Sequence, residues 1–170
     1  GGGVLVADAG ERSMGRLRRT NFGKNVSLRP VHGYTPADEG EVLRILEDHR
    51  GRRVRAVGSL HSWSEAVSVE GVALDLGSLN GVKLRREGER ITATVGAGCS
   101  IKRLLRELER QGGCTLCSLG LITDQTIAGA ISTGTHGSGR HSMSHYVEGL
   151  RVARYDADGR AVIDEITDGD

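Results

Sequence analysis

Glycine supplies 26 of the 170 residues, against five aromatic residues and two prolines, and 23 basic residues almost balance 22 acidic ones for a formal charge of +1. Ordinary usage would give about 12 glycines, yet they keep no three-residue period and proline is scarce, which excludes a collagen-like chain; 37% hydrophobic residues at near-zero charge do not fit a disordered one. No apolar run approaches the ~18 residues of a membrane helix, no basic segment leads into a sustained apolar stretch as in a secretory signal, and the neutral balance argues against nucleic acid as a partner.

Residues 1–20 open on three glycines without periodicity and read as an N-terminal arm, leaving 21–170 as the domain. Six basic residues against Glu11 in 11–29, and six acids against Arg160 in 156–170, read as solvated surface. From Thr35 the signals become firm. Thr35 can cap a helix with Pro36 at its first position and Asp38 and Glu39 in its first turn. Val42, Leu43, Ile45 and Leu46 supply one apolar face, and Gly51 ends it. Residues 53–58 read as a short buried strand that delivers residues 58–64 at its C-terminal edge, where open α/β sheets hold ligands.

Strands follow at 72–76, 82–86 and 90–95, the last two joined by a Glu87-Gly88-Glu89 turn. Ser100 can cap a second helix, with Ile101, Leu104, Leu105 and Leu108 at i, i+3, i+4 and i+7 and Gly112-Gly113 as its stop. Residues 114–117 read as a short strand. Strands at 147–155 and 160–163 flank Asp156-Ala-Asp-Gly159, a second hairpin turn. The class is α+β, with mixed strands and two amphipathic helices.

Cys114 and Cys117 form a C-x-x-C, which invites a redox or zinc reading. A redox pair should open a helix that depresses its thiol pKa, and Ser-Leu-Gly-Leu after Cys117 is not such a start. A zinc site wants two more ligands, for which His141 and His145 are the obvious candidates. The alternative is buried or half-buried thiols, and three reduced cysteines would suit a cytoplasmic setting.

Two glycine-bearing loops stand apart from ordinary punctuation. One is Val57-Gly58-Ser59-Leu60-His61-Ser62-Trp63-Ser64. The other runs from Ser118 through Thr126-Ile-Ala-Gly129-Ala130-Ile131-Ser-Thr-Gly134-Thr135-His136-Gly137-Ser-Gly139. Glycine lets a backbone approach a ligand closely. Successive N–H groups in such turns form anion cradles to which Ser and Thr hydroxyls add donors, and a short helix starting at Thr126 could add its N-terminus. Neither loop is a P-loop, and neither matches the dinucleotide G-x-G-x-x-G in its setting. Gly96-x-Gly98 precedes a helix but lacks the third glycine. On these grounds alone, nucleotide binding and plain surface turns stay equally open.

The spelling of both loops carries a resemblance. Gly58-Ser59-Leu60-His61-Ser62-Trp63 resembles the G-x-G-H-S-[FWP] loop of flavoproteins related to vanillyl-alcohol oxidase and p-cresol methylhydroxylase. The 126–139 run resembles their second flavin loop, in the spelling of the alditol oxidases and the gulonolactone or arabinonolactone oxidases. Asn21-Phe-Gly-Lys-Asn25 is similar to the N-W-x-G-N that opens that branch. The resemblance spans about 20–165 and implies a PCMH-type FAD-binding domain of two small α/β subdomains, about 21–95 and 96–170.

It also implies FAD as the cofactor, held by Val57, Gly58, Ser59, Leu60, His61, Ser62 and Trp63 from the first loop. Ser118, Thr126, Gly129, Ala130, Ile131, Thr135, His136 and Gly137 would hold it from the second. His61 matches the histidine that in many members is bonded to the flavin 8α-methyl carbon, and neutral imidazole is a competent nucleophile near pH 7. Leu60 stands where many members have glycine; it can still present its N–H there if its φ stays negative. The family's substrate domain lies C-terminal to the flavin domain, so this chain is expected to be an N-terminal portion with no catalytic residue of its own and no metal. The implied reaction is hydride transfer from a sugar alcohol or aldonolactone to FAD, with oxygen or another acceptor taking the electrons. The competing readings are a cofactor-free folding unit and a C-x-x-C redox or zinc module.

Overall fold

The computed structural model describes residues 19–167; most of the expected arm, 1–18, lies outside the described residues, as do 168–170. The described chain is a mixed helix-and-strand structure, the expected α+β class. It begins with two short antiparallel strands, β1 (Arg19–Thr20) and β2 (Ser27–Leu28), joined through the Asn21–Asn25 turn. Next come β3 (His32–Tyr34), helix α1 (Glu39–Asp48), β4 (Val54–Val57) and β5 (Val72–Asp75). These three strands form a parallel sheet in the order β3-β5-β4, so β5 lies in the middle, with Ala73 opposite Gly33 on one side and Arg55 on the other.

The central strand explains where the core sits. Val72, Ala73 and Leu74 are an uninterrupted apolar run with 0–4% exposure, as a parallel strand covered on both faces requires. Val72 and Leu74 meet Val42 and Leu46 of α1. Ala73 faces the other way, into a cluster with Leu28, Val57, Leu60 and Val69. Leu60 therefore anchors the first glycine loop in the core beneath the sheet.

Helix α1 is capped by Asp38, not by the expected Thr35. The Asp38 carboxylate accepts the Glu41 N–H at 2.8 Å, and Glu41 reaches back to the Ala37 N–H at 2.7 Å. With two helix-entry donors satisfied there, the chain stays extended through Asp38 (φ −149°) and helical φ begins only at Glu39.

The second half holds an antiparallel hairpin, β6 (Val82–Glu87) and β7 (Arg90–Val95), turned at Gly88. Helix α2 (Ile101–Gly112) is capped by Ser100 as expected and ends at Gly113 with φ +60°. The short helix α3 (Ile127–Ser132) and a second hairpin, β8 (Gly149–Tyr155) with β9 (Ala161–Thr167), complete the described chain. Residues 114–117 form no ladder, contrary to the expected strand: Cys114 and Leu116 instead turn their side chains into the α2 cluster around Cys99, Leu104 and Leu108. Core contacts cross position 95 both ways. Val82, Leu84 and Val95 pack on α2, whereas Tyr155 and Ala161 pack on α1.

Candidate functional site

Strand β4 ends at Val57, and residues 58–63 leave the sheet at its C-terminal edge. Leu60 adopts φ +57°, correcting the expectation of a negative φ at this position. A left-handed conformation costs a non-glycine residue about 1–2 kcal/mol. Leu60 sustains it because its side chain is only 7% exposed, held among Leu28, Val57, Val69 and Ala73. Burial of a leucine is worth about 1.5–3 kcal/mol, enough to hold the strained backbone.

The turn over residues 21–25 fastens this loop from one side. The Phe22 N–H donates to the Leu60 carbonyl at 2.9 Å. The Asn21 amide donates to the Ser62 carbonyl at 2.8 Å, and the Asn25 amide donates to the Trp63 carbonyl at 3.1 Å. Among the described residues, no acceptor meets the N–H of Ser59, Leu60, His61, Ser62 or Trp63. The loop is therefore polarised, with carbonyls tied down and a run of donors left for something else.

Phe22 joins His61 and Trp63 in one aromatic group. The His61 ring stacks on Phe22 at 5.1 Å between centroids and 23° between planes, and Trp63 meets Phe22 edge-on at 6.2 Å. Phe22 and Trp63 are 63% and 66% exposed, so this face of the loop is an apolar surface. His61 Nδ1 is buried and has no hydrogen-bond partner. Buried polar atoms are rarely left this way, and each exception calls for a physical reason.

The second loop reaches the same edge. The Ser59 hydroxyl donates to the Asp124 carbonyl at 2.5 Å, and Gly58 lies so close against Thr126 that a Cβ would collide with the threonine hydroxyl. Thr126 caps α3, accepting the Gly129 N–H on its hydroxyl and the Ala130 N–H on its carbonyl. The Ile127 N–H goes to Cys99 O at 2.8 Å and the Ala128 N–H to Ala97 O at 3.4 Å. The start of α3 therefore spends its donors within the protein, and Ala130 is wholly buried. Ile131 packs in the cluster of Ile101, Ala130 and Met143.

Farther along, the buried Ser118 hydroxyl accepts the Gly137 N–H at 3.2 Å. Thr135 is fixed by its N–H to Ala130 O and by its carbonyl, which accepts the Met143 N–H at 2.7 Å. His136 is exposed, its Nδ1 3.1 Å from Gly137 O. It lines an open cleft of about 660 Å³ together with the Gly137 to Arg140 turn, His141 and Tyr146.

Gly96 and Gly98 serve packing: their N–H groups donate to Gly81 O and Leu79 O, and a Cβ at either would strike the 76–80 backbone. His141 stacks on His145 at 4.2 Å, but no group of three or more His, Cys, Asp or Glu side chains among the described residues could hold a metal. Cys114 is half-buried and Cys117 exposed. No helix among the described residues is long and apolar enough to cross a membrane. Sequence reading noticed the Asn21 to Asn25 motif only as a likeness. Its work as a clamp depends on contacts about 40 residues away, for which a single sequence gives no signal.

A parallel sheet that carries a glycine loop of open N–H groups on its edge, closed by a second glycine loop, is the architecture of a cofactor-binding domain. Comparison with known proteins says which one. The FAD binding domain family matches residues 32–163, and the chain belongs to that family. It is 66% identical over 154 residues to a long-chain alcohol oxidase of an uncultured marine euryarchaeote, covering 90% of this chain and 32% of that protein. It is 38% identical over 123 residues to the D-arabinono-1,4-lactone oxidase of Eremothecium gossypii, covering 69% of this chain and 23% of that one. In fold it matches the crystal structure of cholesterol oxidase from B. sterolicum, with a TM-score of 0.81 at 22% identity over 91% of this chain and 32% of that one. The chain thus spans a third or less of the length of these relatives.

Proposed function

We propose that the chain is the FAD-binding portion of an oxidoreductase that takes a hydride from an alcohol carbon of a sugar alcohol or aldonolactone, with FAD bonded through His61. The observation that carries this reading is the polarised 58–63 loop. Its free N–H groups suit the pyrophosphate and flavin oxygens, and its one buried polar side-chain atom without a hydrogen-bond partner is Nδ1 of the histidine proposed to carry the flavin. Bound FAD supplies an electron-pair sink for the substrate hydride and a ring methyl for the histidine.

The protein's own residues do the rest. Ser59, Leu60, His61, Ser62 and Trp63 offer backbone donors, while Val57 and Gly58 set the loop's exit and let Thr126 approach. Ser118 holds the Gly137 turn, His136 and Gly137 line the open side of the second loop, and Thr135 fixes its base through Ala130 and Met143. Thr126, Gly129, Ala130 and Ile131 act as the rigid wall that places that loop, their N-terminal donors being used internally. Substrate-handling groups belong to a further, C-terminal domain in this reading, and oxygen or another acceptor removes the electrons.

The 66% identical relative named for long-chain alcohols favours a second substrate class, a long-chain alcohol. The experiment uses the natural full-length protein. It should be isolated yellow and keep its flavin on the polypeptide after acid precipitation, and His61→Ala should release it. Anaerobic bleaching by a polyol, an aldonolactone or a long-chain alcohol then separates the substrate classes. A full-length protein that stays colourless after reconstitution with FAD overturns the proposal.

A further inference from the structure

The clamp over residues 21–25 is more than a brace for the fold. Asn21 is 3% exposed, and its amide is saturated. Its oxygen accepts the N–H groups of Asn25 at 3.1 Å and Val26 at 3.0 Å, and its nitrogen donates to Asn25 Oδ1 at 2.7 Å and Ser62 O at 2.8 Å. Asn25 passes the chain on, donating to Trp63 O. With the Phe22 N–H on Leu60 O, three carbonyls of the His61 loop face this turn.

No peptide bond among the described residues is cis. In a trans peptide the carbonyl and the following N–H point in opposite directions. Tying down the carbonyls of Leu60 and Ser62 therefore turns the N–H groups of His61 and Trp63 outward. The same turn brings Phe22 onto the His61 ring, which limits the ring's rotation. One small motif thus sets both the direction of the backbone donors and the attitude of the imidazole.

We infer that Asn21 and Asn25 are positioning residues for the attachment of flavin to His61, acting through the carbonyls of Ser62 and Trp63. The inference rests on the reading of His61 as the attachment point. Attachment exchanges one C–H of the ring methyl and the N–H of neutral imidazole for a C–N bond; two protons are released, and the electron pair left on the flavin passes with them to oxygen, giving hydrogen peroxide.

The test measures two quantities in the full-length protein: total flavin per polypeptide, and the fraction of it that survives denaturation. Asn21 is buried and its variants carry a folding cost, so the deciding variants are Asn25→Ala and Asn25→Asp at the exposed end of the turn. Asn25→Asp keeps the acceptor for the Asn21 amide and replaces the donor to Trp63 with an anionic oxygen, whereas Asn25→Ala removes the donor without adding charge. Both variants should cut the covalent fraction at least threefold. A melting temperature within a few degrees of the parent shows that the fold is intact. A covalent fraction equal to the parent's overturns the inference, even where total flavin falls, because that pattern is the signature of a brace alone. A parent protein with no covalent flavin overturns the His61 reading itself, before any asparagine variant is compared.

Discussion

The Ser59 hydroxyl donates to the Asp124 backbone carbonyl at 2.5 Å across 65 residues of sequence, and beside it Gly58 rests against Thr126. The meeting of the two glycine loops comes down to this bond and this absence of a side chain. Gly58→Ala should therefore push the loops apart. We expect a loss of about 1–3 kcal/mol in stability from overpacking and at least a tenfold loss in FAD affinity. Ser59→Ala should cost only about 1 kcal/mol, the net worth of one hydrogen bond. Thermal unfolding checks both stabilities, flavin fluorescence titration in a His61→Ala background reads the reversible FAD affinity, and a Gly58→Ala protein with the affinity of that background would contradict the contact.

Leu60 offers a comparison of two truncations. Leu60→Ala keeps the left-handed backbone cost and loses the buried side chain, for about 2–5 kcal/mol. Leu60→Gly loses the same side chain and also relieves the strain at φ +57°. The glycine variant should be at least as stable as the alanine variant in urea unfolding, the reverse of the usual order. An alanine variant clearly more stable than the glycine one would mean that the φ is not positive.

Acid should weaken the fold through His49. The ring is 9% exposed. Its Nε2 lies 2.8 Å from the Tyr34 hydroxyl, its centroid is 4.9 Å from His32, and Asp48 and Arg52 lie nearby. Burial first, then the His32 and Arg52 charges, lower its pKa below the ordinary 6.5, against a smaller opposing pull from Asp48. The unfolded chain consequently takes up the proton first. This contribution is full above pH 6.5 and is lost as pH falls from there through the lowered folded value. Urea unfolding from pH 8 to 5 should show the decline, and His49→Gln should flatten it. An unchanged slope in His49→Gln would assign the effect elsewhere.

The three thiols should separate by reactivity. Cys99 has no exposed surface, and burial pushes its pKa up, whereas Cys117 is exposed. A thiol reagent at pH 8 should label Cys117 promptly and reach Cys99 only on unfolding. Cys117→Ser should remove the fast phase, which absorbance of the released reagent follows directly. A fast phase that survives Cys117→Ser would place another thiol at the surface.

What the sequence made legible followed local chemistry. Ser100 with the Ile101, Leu104 and Leu108 spacing defines α2, and the Gly88 and Asp156 to Gly159 turns define both hairpins, because each signal acts within a few residues. The 53–58 strand and the loop it delivers were legible for the same reason, but not its burial: Arg55 and Ala56 are exposed and only Val57 is buried, because β4 lies at the edge of the sheet. Where several local caps competed, the choice went astray: Thr35 and Asp38 both suit a helix start, and the Glu41 carboxylate decides between them. Strand β3 was invisible because His32-Gly33-Tyr34 becomes a strand only by pairing with β5, a non-local contact. Residues 114–117 failed in the opposite sense, apolar enough for a strand but with no partner to pair with. In the site, the residue types were readable, whereas the φ of Leu60 and the clamp by Asn21 and Asn25 depend on packing from distant segments.

Helix α1 shows what such distant packing implies for a chain being made. Its Leu46 carbonyl receives the Tyr155 hydroxyl at 2.6 Å from 109 residues downstream. At ribosomal speeds of about 5–20 residues per second, α1 would wait roughly 5–20 seconds for that cover. During that interval an apolar flank stays open to chaperones and to neighbouring nascent chains. Yield on overexpression should therefore respond to growth temperature and chaperone supply more than the stability of the finished protein would suggest.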